Sequence, residues 1–239
     1  MSGHSKWSQI KRQKGVADNK RSAVFTKLAN AITVAAREGG KDPAMNVRLR
    51  LAVDKAREAN MPKDNIERAI KRGVGELDDK PLESVVYEGF GPDGVAIVAE
   101  AVTDNRNRTS AELRKIFGNH GGNLGGSNSV LWLFERRGWL EVNPGEHRDA
   151  IELAAIDAGA LDIEEDGGLM FISTAPQNLD PVRQAVTASG GSVTSAEIGL
   201  TASASVAPTS ESTREQIEKL LLELEDLPDV THVSTNAAL

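Results

Sequence analysis

Residues 139–206 read WLEVNPGEHRDAIELAAIDAGALDIEEDGGLMFISTAPQNLDPVRQAVTASGGSVTSAEIGLTASASV. Apolar residues alternate near 139–142, recur at helical spacing over 147–158, and alternate again over 161–165 and 169–174. Asp166-Gly167-Gly168 hinges the last two runs as a hairpin. A second helical pattern covers 179–189, and a final strand follows at about 192–201. The order βαββαβ predicts a ferredoxin-like sandwich.

On either side of this unit the chain looks incomplete. Residues 84–88 and 95–103 predict two strands joined by the turn Gly91-Pro92-Asp93-Gly94. Thr109 with Glu112 predicts a capping box for a helix burying Leu113, Ile116 and Phe117. The glycine-rich run GNHGGNLGG, 118–126, ends that helix, and 129–136 predicts another strand. This ββαβ set lacks a helix and a strand. The C-terminus carries one of each: a helix over 211–225 with the stripe Ile217, Leu220, Leu221 and Leu224, then a strand near 231–234. The ferredoxin-like unit is therefore expected to be inserted in a discontinuous domain, 138–206 within 79–137 plus 207–239.

The N-terminal third has a different character. Phe25, Leu28, Ile32 and Ala35 predict a first helix over 19–37, stopped by Gly39-Gly40. Asp42-Pro43 reads as an N-cap and first helical residue. Leu49, Ala52, Val53 and Ala56 then form a second stripe, and Ile66, Ala69 and Ile70 a third, after Pro62. Three short amphipathic helices bury their stripes as one bundle. The expected fold class is α+β: an N-terminal three-helix domain, 1–78, followed by two α/β sandwich domains, the last inserted in the middle one. An acidic, turn-forming linker is expected at 73–82.

Charge is strongly polarised. The 239-residue chain has net charge −7, yet residues 1–72 hold 17 Lys/Arg against 7 Asp/Glu, a net +10, and residues 73–239 hold 11 against 28, a net −17. Lys6, Lys11, Arg12, Lys14, Lys20, Arg21 and Lys27 face one acid, Asp18, in the first 27 residues, with Trp7 among them. Clustered cations beside a stacking ring suit a phosphate backbone and a base. Arg106 and Arg108, between a strand end and a helix N-terminus, suit either a phosphate or nearby carboxylates.

Other classes find little support. Cysteine is absent, so disulfides and thiolate chemistry are excluded and a reducing cytoplasm is expected. No run approaches 18 apolar residues, so no membrane partner is expected. Gly89-Phe90-Gly91-Pro92-Asp93-Gly94 spells GxGxxG but leads into a strand, which rejects a dinucleotide loop. The run 118–126 lacks the GKS or GKT of a phosphate loop and reads as a turn or hinge. His4, His120, His147 and His232 show no ligand spacing. The chain is expected to be non-enzymatic, with no cofactor, metal or small-molecule substrate. It is expected to be monomeric.

The stretches GHSKWSQIKRQKGVADNKRSAVFTKLANAITVAAREGG, NVRLRLAVDKAREANMPKDNIERAIKRGVGE and YEGFGPDGVAIVAEAVTDNRNRTSAELRKIF, with GGNLG after them, closely resemble the YebC family, which includes the mitochondrial translational activator of cytochrome c oxidase. The resemblance is dense from residue 3 to about 126 and looser beyond. It implies three domains and a non-enzymatic regulator of gene expression, described in the family both as a DNA-binding transcriptional regulator and as a ribosome-associated factor. By position it adds His4 to the basic motif of Lys6, Trp7, Lys11, Arg12, Lys14, Lys20 and Arg21, and it places Arg106 and Arg108 in a DNRNRT motif. Many relatives carry GSV and a Phe-rich strand after the glycine loop, where this chain has Gly126-Ser127-Asn128-Ser129-Val130-Leu131-Trp132. The leading expectation is a cytoplasmic, ribosome-associated factor binding rRNA or tRNA; the rival is a DNA-binding regulator using the same surface.

Overall fold

The computed structural model describes residues 21–77 and 82–239. Three helices come first: α1 (Arg21–Gly39), α2 (Val47–Glu58) and α3 (Lys63–Gly73). All three predicted stripes meet in one core of Leu28, Ile32, Ala35, Leu49, Val53, Ala56, Ile66 and Ala69. Phe25, Ala52 and Ile70 pack at its edge. The expected Asp42 cap is corrected. Asn46 opens α2, its Oδ1 accepting from Leu49 N (3.0 Å) while Nδ2 donates to Ala35 O (2.7 Å) and Gly40 O (2.9 Å). A buried amide that satisfies three backbone groups outcompetes an aspartate that closes only its own turn, onto Ala44 N.

The middle sheet has the order β3-β1-β2-β8 and is antiparallel throughout. Its strands are β1 (Glu83–Phe90), β2 (Ala96–Thr103), β3 (Asn123–Leu124) and β8 (Val230–Thr235). The β1–β2 turn carries Asp93 and Gly94 at φ 58° and 71°, as its Pro-Asp-Gly sequence requires. Helices α4 (Arg106–Asn119) and α7 (Glu211–Asp226) cover one face. Leu113, Ile116, Phe117, Ile217, Leu220, Leu221 and Leu224 pack there on Val95, Ile97, Ala99 and Ala101. The opposite face of β2 sets Ala96 and Val98 against Val130, Phe134 and Leu200. Burial on both faces explains why β2 reads as an unbroken apolar run.

The second sheet, of order β5-β6-β4-β7, contains β4 (Phe134–Asn143), β5 (Ala160–Asp166), β6 (Leu169–Thr174) and β7 (Ser192–Ala202). Helices α5 (Arg148–Asp157) and α6 (Leu179–Ala188) bury Ile151, Ala155, Leu179, Val182 and Val186 against Leu140, Val142, Met170 and Ile172. This is the ferredoxin-like arrangement, and it interrupts the middle sheet between β3 and α7. One correction concerns 129–142, expected as two strands. A short 3-10 turn at Leu131–Leu133 is followed by the single strand β4, paired with β7 along its whole length. The middle sheet takes its third strand from the two-residue β3 instead.

Polar contacts tie the helical region to both sheets. Arg50 Nη2 meets Asp180 Oδ2 of α6 at 2.8 Å, and Lys55 Nζ meets Glu197 Oε2 of β7 at 2.9 Å. Asn30 donates to Val102 O at 3.5 Å, and Arg37 to Leu82 O. Val34, Leu82 and Val102 form a small apolar cluster at the same junction.

Candidate nucleic-acid interface

Of the residues expected to touch nucleic acid, His4, Lys6, Trp7, Lys11, Arg12, Lys14 and Lys20 lie outside the described residues. Arg21 begins α1. Lys27, six residues further along the same helix, donates to the Glu225 carbonyl of α7. The remaining cations of the helices pair extensively with the chain's own acids. Lys41 meets Glu76 at 2.9 Å, Arg57 meets Asp54 at 3.5 Å, Lys63 meets Glu67 at 3.4 Å, and Arg48 meets Glu38. The Lys41 pair is open to solvent, with pKa raised first by its hydrogen bond to Glu76. Lys55 is raised first by the charge of Glu197.

Exposed pairs of this kind are worth about 0–1 kcal/mol. They are exchangeable, so a polyanion can displace the carboxylates at small cost. Beyond them, Arg68 on α3 and Arg114 and Lys115 on α4 are exposed with no carboxylate at ion-pair distance among the described residues. Lys71 lies near enough to Glu76 to lower its pKa further. Nothing in the local pattern of α4 had distinguished Arg114 and Lys115 from an ordinary solvated face.

Arg106 and Arg108 are held apart by different acids. Arg106 Nε lies 2.5 Å from Glu83 Oε2. Arg108 Nη2 lies 2.8 Å from Asp229 Oδ2 and 3.1 Å from Asp104 Oδ1. The same Asp229 oxygen accepts from Thr109 Oγ1 (2.7 Å) and Thr103 Oγ1 (3.1 Å). Thr109 is therefore an anchor inside the first turn, not the expected cap. Asn105 caps α4, its side chain accepting from Arg108 N at 3.1 Å. The DNRNRT segment thus clasps the start of α4 to the loop before β8, in a contact with residues more than 100 positions away.

Burial opposes ionisation of Asp229, but hydrogen bonds from Arg108, Thr109 and Thr103 outweigh it and hold its pKa below the ordinary value. A depressed pKa means stability that is present above the unfolded carboxylate value, about 3.9, and lost as pH falls through the folded value. Asp229→Asn is expected to cost about 1–3 kcal/mol at pH 7. Urea denaturation checks this. The gap between variant and parent should narrow at pH 3, and an equal gap at both values removes the carboxylate from the clasp.

The sequence reading missed Glu88. This β1 carboxylate is buried, with Oε1 accepting from Asn128 N (2.6 Å) and Oε2 from Val130 N (2.8 Å) and Leu131 N (2.7 Å). Gly125 N donates to the Glu88 carbonyl at 2.7 Å. Burial raises the pKa of Glu88, and the backbone donors more than reverse that, so it stays ionised below the usual range. No sequence signal marks a carboxylate whose partners are main-chain N–H groups some 40 residues on. The glycine-rich run is consequently a close-packed turn and not a hinge. A Cβ on Gly122 would strike the Phe90 carbonyl, and one on Gly125 would sit 2.5 Å from Ser129 Oγ.

Among the described residues there is no group of three or more His, Asp or Glu placed to hold a metal ion. No described helix is long and apolar enough to cross a membrane.

Comparison with known proteins places this architecture. A family model described as "TACO1/YebC protein N-terminal domain" matches residues 5–76, and one described as "TACO1/YebC second and third domain" matches residues 82–237. A "Probable transcriptional regulatory protein" of Halothermothrix orenii is 48% identical over 239 residues, covering 99% of this chain and 94% of that one. A protein of the same name from Moorella thermoacetica is 47% identical, covering 99% and 95%. The crystal structure of a conserved hypothetical protein from Aquifex aeolicus superposes with a TM-score of 0.85 at 43% identity, over 92% of this chain and 91% of that chain. With its helical bundle and both sheets matched in order along the chain, this protein belongs to the TACO1/YebC family.

Proposed function

We propose that this protein is a non-enzymatic regulator of gene expression that grips nucleic acid through its basic N-terminal domain, residues 1–78, and acts in the cytoplasm as a ribosome-associated translation factor on rRNA or tRNA. The discontinuous domain (79–137 with 207–239) and the inserted domain (138–206) then position that grip. The observation that carries this reading is the charge division, net +10 over residues 1–72 against net −17 over the rest. A polyanion is drawn first to the basic end, which orients it on approach. The exchangeable ion pairs on α2 and α3 support the same assignment. They keep the basic surface soluble until phosphates replace the carboxylates.

A second reading, a DNA-binding transcriptional regulator using the same surface, draws on the names of the relatives. It is disfavoured by the bundle itself. A dedicated reader of DNA presents a recognition helix with several base-contacting side chains, often in a dimer. Here α2 turns Leu49, Val53 and Ala56 into the core and ties Arg50 and Lys55 to the inserted domain.

Polysome sedimentation with promoter footprinting separates the two. Co-sedimentation with ribosomes is expected; a protein wholly off ribosomes that protects a discrete promoter removes the translation reading. In parallel, Lys11→Glu combined with Arg12→Glu is expected to weaken RNA binding and to reduce the slope of log affinity against log salt by about 1.4 for two lost phosphate contacts on a single strand. An unchanged slope takes the arm out of the interface.

A further inference from the structure

Trp132 is the most conspicuous exposed aromatic among the described residues, with 73% of its surface open to solvent. It was expected inside the strand 129–136. The observed turn places it on the rim instead. A single exposed apolar residue is unremarkable by itself. The support beneath this one is what distinguishes it. Glu88 locks residues 128–131 from below through three backbone hydrogen bonds. Asn128 takes up the left-handed conformation at φ 62°, and Ser203 N holds the turn's far side at Leu133 O, 2.8 Å. The indole itself is tethered by its edge, Nε1 donating to Ser129 O at 3.2 Å. The tether restrains the ring at its edge while 73% of the residue stays open to solvent.

The surroundings select the occupant. From Gly121 to Phe134 the chain carries no charged residue. The carboxylate beneath is buried and already satisfied. Ser127 and Asn128, in the turn before Trp132, are exposed. Neutral amides and hydroxyls beside an open aromatic face suit the edge and face of a base, and no exposed acid within the loop repels its phosphate. A protein hot spot would instead set the ring among further apolar groups.

We propose that Trp132 is a preorganised stacking platform for an unpaired nucleobase, a contact separate from the basic arm. The proposal rests on the nucleic-acid reading above.

The test uses the full-length protein with Trp7→Phe, so that quenching reports on Trp132 while buried Trp139 serves as reference. Titration with a single-stranded RNA 12-mer is expected to quench the indole. Trp132→Ala is expected to abolish most of that quench and to weaken single-strand binding about 5- to 100-fold. Trp132→Phe should keep affinity within about threefold, since a ring is retained. Affinity for inorganic polyphosphate, which has no bases, should not change. Unchanged RNA affinity in Trp132→Ala overturns the proposal. So does equal loss for RNA and polyphosphate, or loss of ribosome association with free RNA affinity intact, which would assign the ring to a protein pocket. If Lys11→Glu with Arg12→Glu weakens RNA binding and Trp132→Ala does not, the platform falls and the nucleic-acid function stands. If the parent protein binds neither RNA nor DNA, both fall.

Discussion

Glu88→Ala is expected to destabilise the protein by about 3 kcal/mol or more, read as a lowered urea midpoint. Three main-chain donors, on Asn128, Val130 and Leu131, converge on this one buried carboxylate. Removing it strands the buried Val130 donor, at about 1–3 kcal/mol, and breaks charge-assisted bonds from the half-buried Leu131 N and from Asn128 N, which water can partly replace. Glu88→Gln keeps the size and one carbonyl oxygen but turns an N–H₂ toward donors, and about 1–3 kcal/mol is expected. The folded-state pKa of Glu88 is depressed. Its contribution is therefore complete above the unfolded glutamate value, about 4.3, and disappears as pH falls through the folded value. The Glu88→Gln deficit should shrink between pH 7 and pH 3.5. Both variants within about 0.5 kcal/mol of the parent would mean that the 125–131 turn holds itself.

Phe117→Ala is expected to cost about 3–5 kcal/mol, the range for emptying a buried aromatic site. Phe117 is 1% exposed and lies at the centre of the core between α4, α7 and the middle sheet. Its ring rests directly on backbone. A Cβ at Gly89 would fall 2.7 Å from Phe117 Cε1, and one at Gly122 would fall 3.3 Å from Cδ1. Glycine at both positions lets main chain approach the ring, and those two positions offer no side chain to fill the void. Thermal and urea denaturation measure the loss. A deficit under about 1 kcal/mol would show a core that collapses readily around the missing ring.

Much of the fold was legible because its signals are local. The stripes of α1 to α3, the Pro-Asp-Gly turn before β2 and the βαββαβ order each depend on residues a few positions apart, and each holds in the structure. The need for a late helix and strand to complete the middle sheet followed from counting elements, and α7 and β8 fill it. The boundaries behaved differently. Asn46 displaced Asp42 and Asn105 displaced Thr109 as caps, since several residues in each segment had suitable side chains and only packing chose between them.

The candidate interface was legible as a charge distribution and no further. Sequence alone determined that a basic module precedes an acidic body, which helical faces are apolar, and that a sheet domain is interrupted by a second one. Periodicity and charge are properties of neighbouring residues and survive without coordinates. Tertiary structure alone decided that Arg108 closes on Asp229, that Arg50 and Lys55 meet Asp180 and Glu197, and that Glu88 props the turn displaying Trp132. Those pairings join groups from 40 to more than 140 positions apart, and over such separations only the folded chain determines which partners come within hydrogen-bond reach.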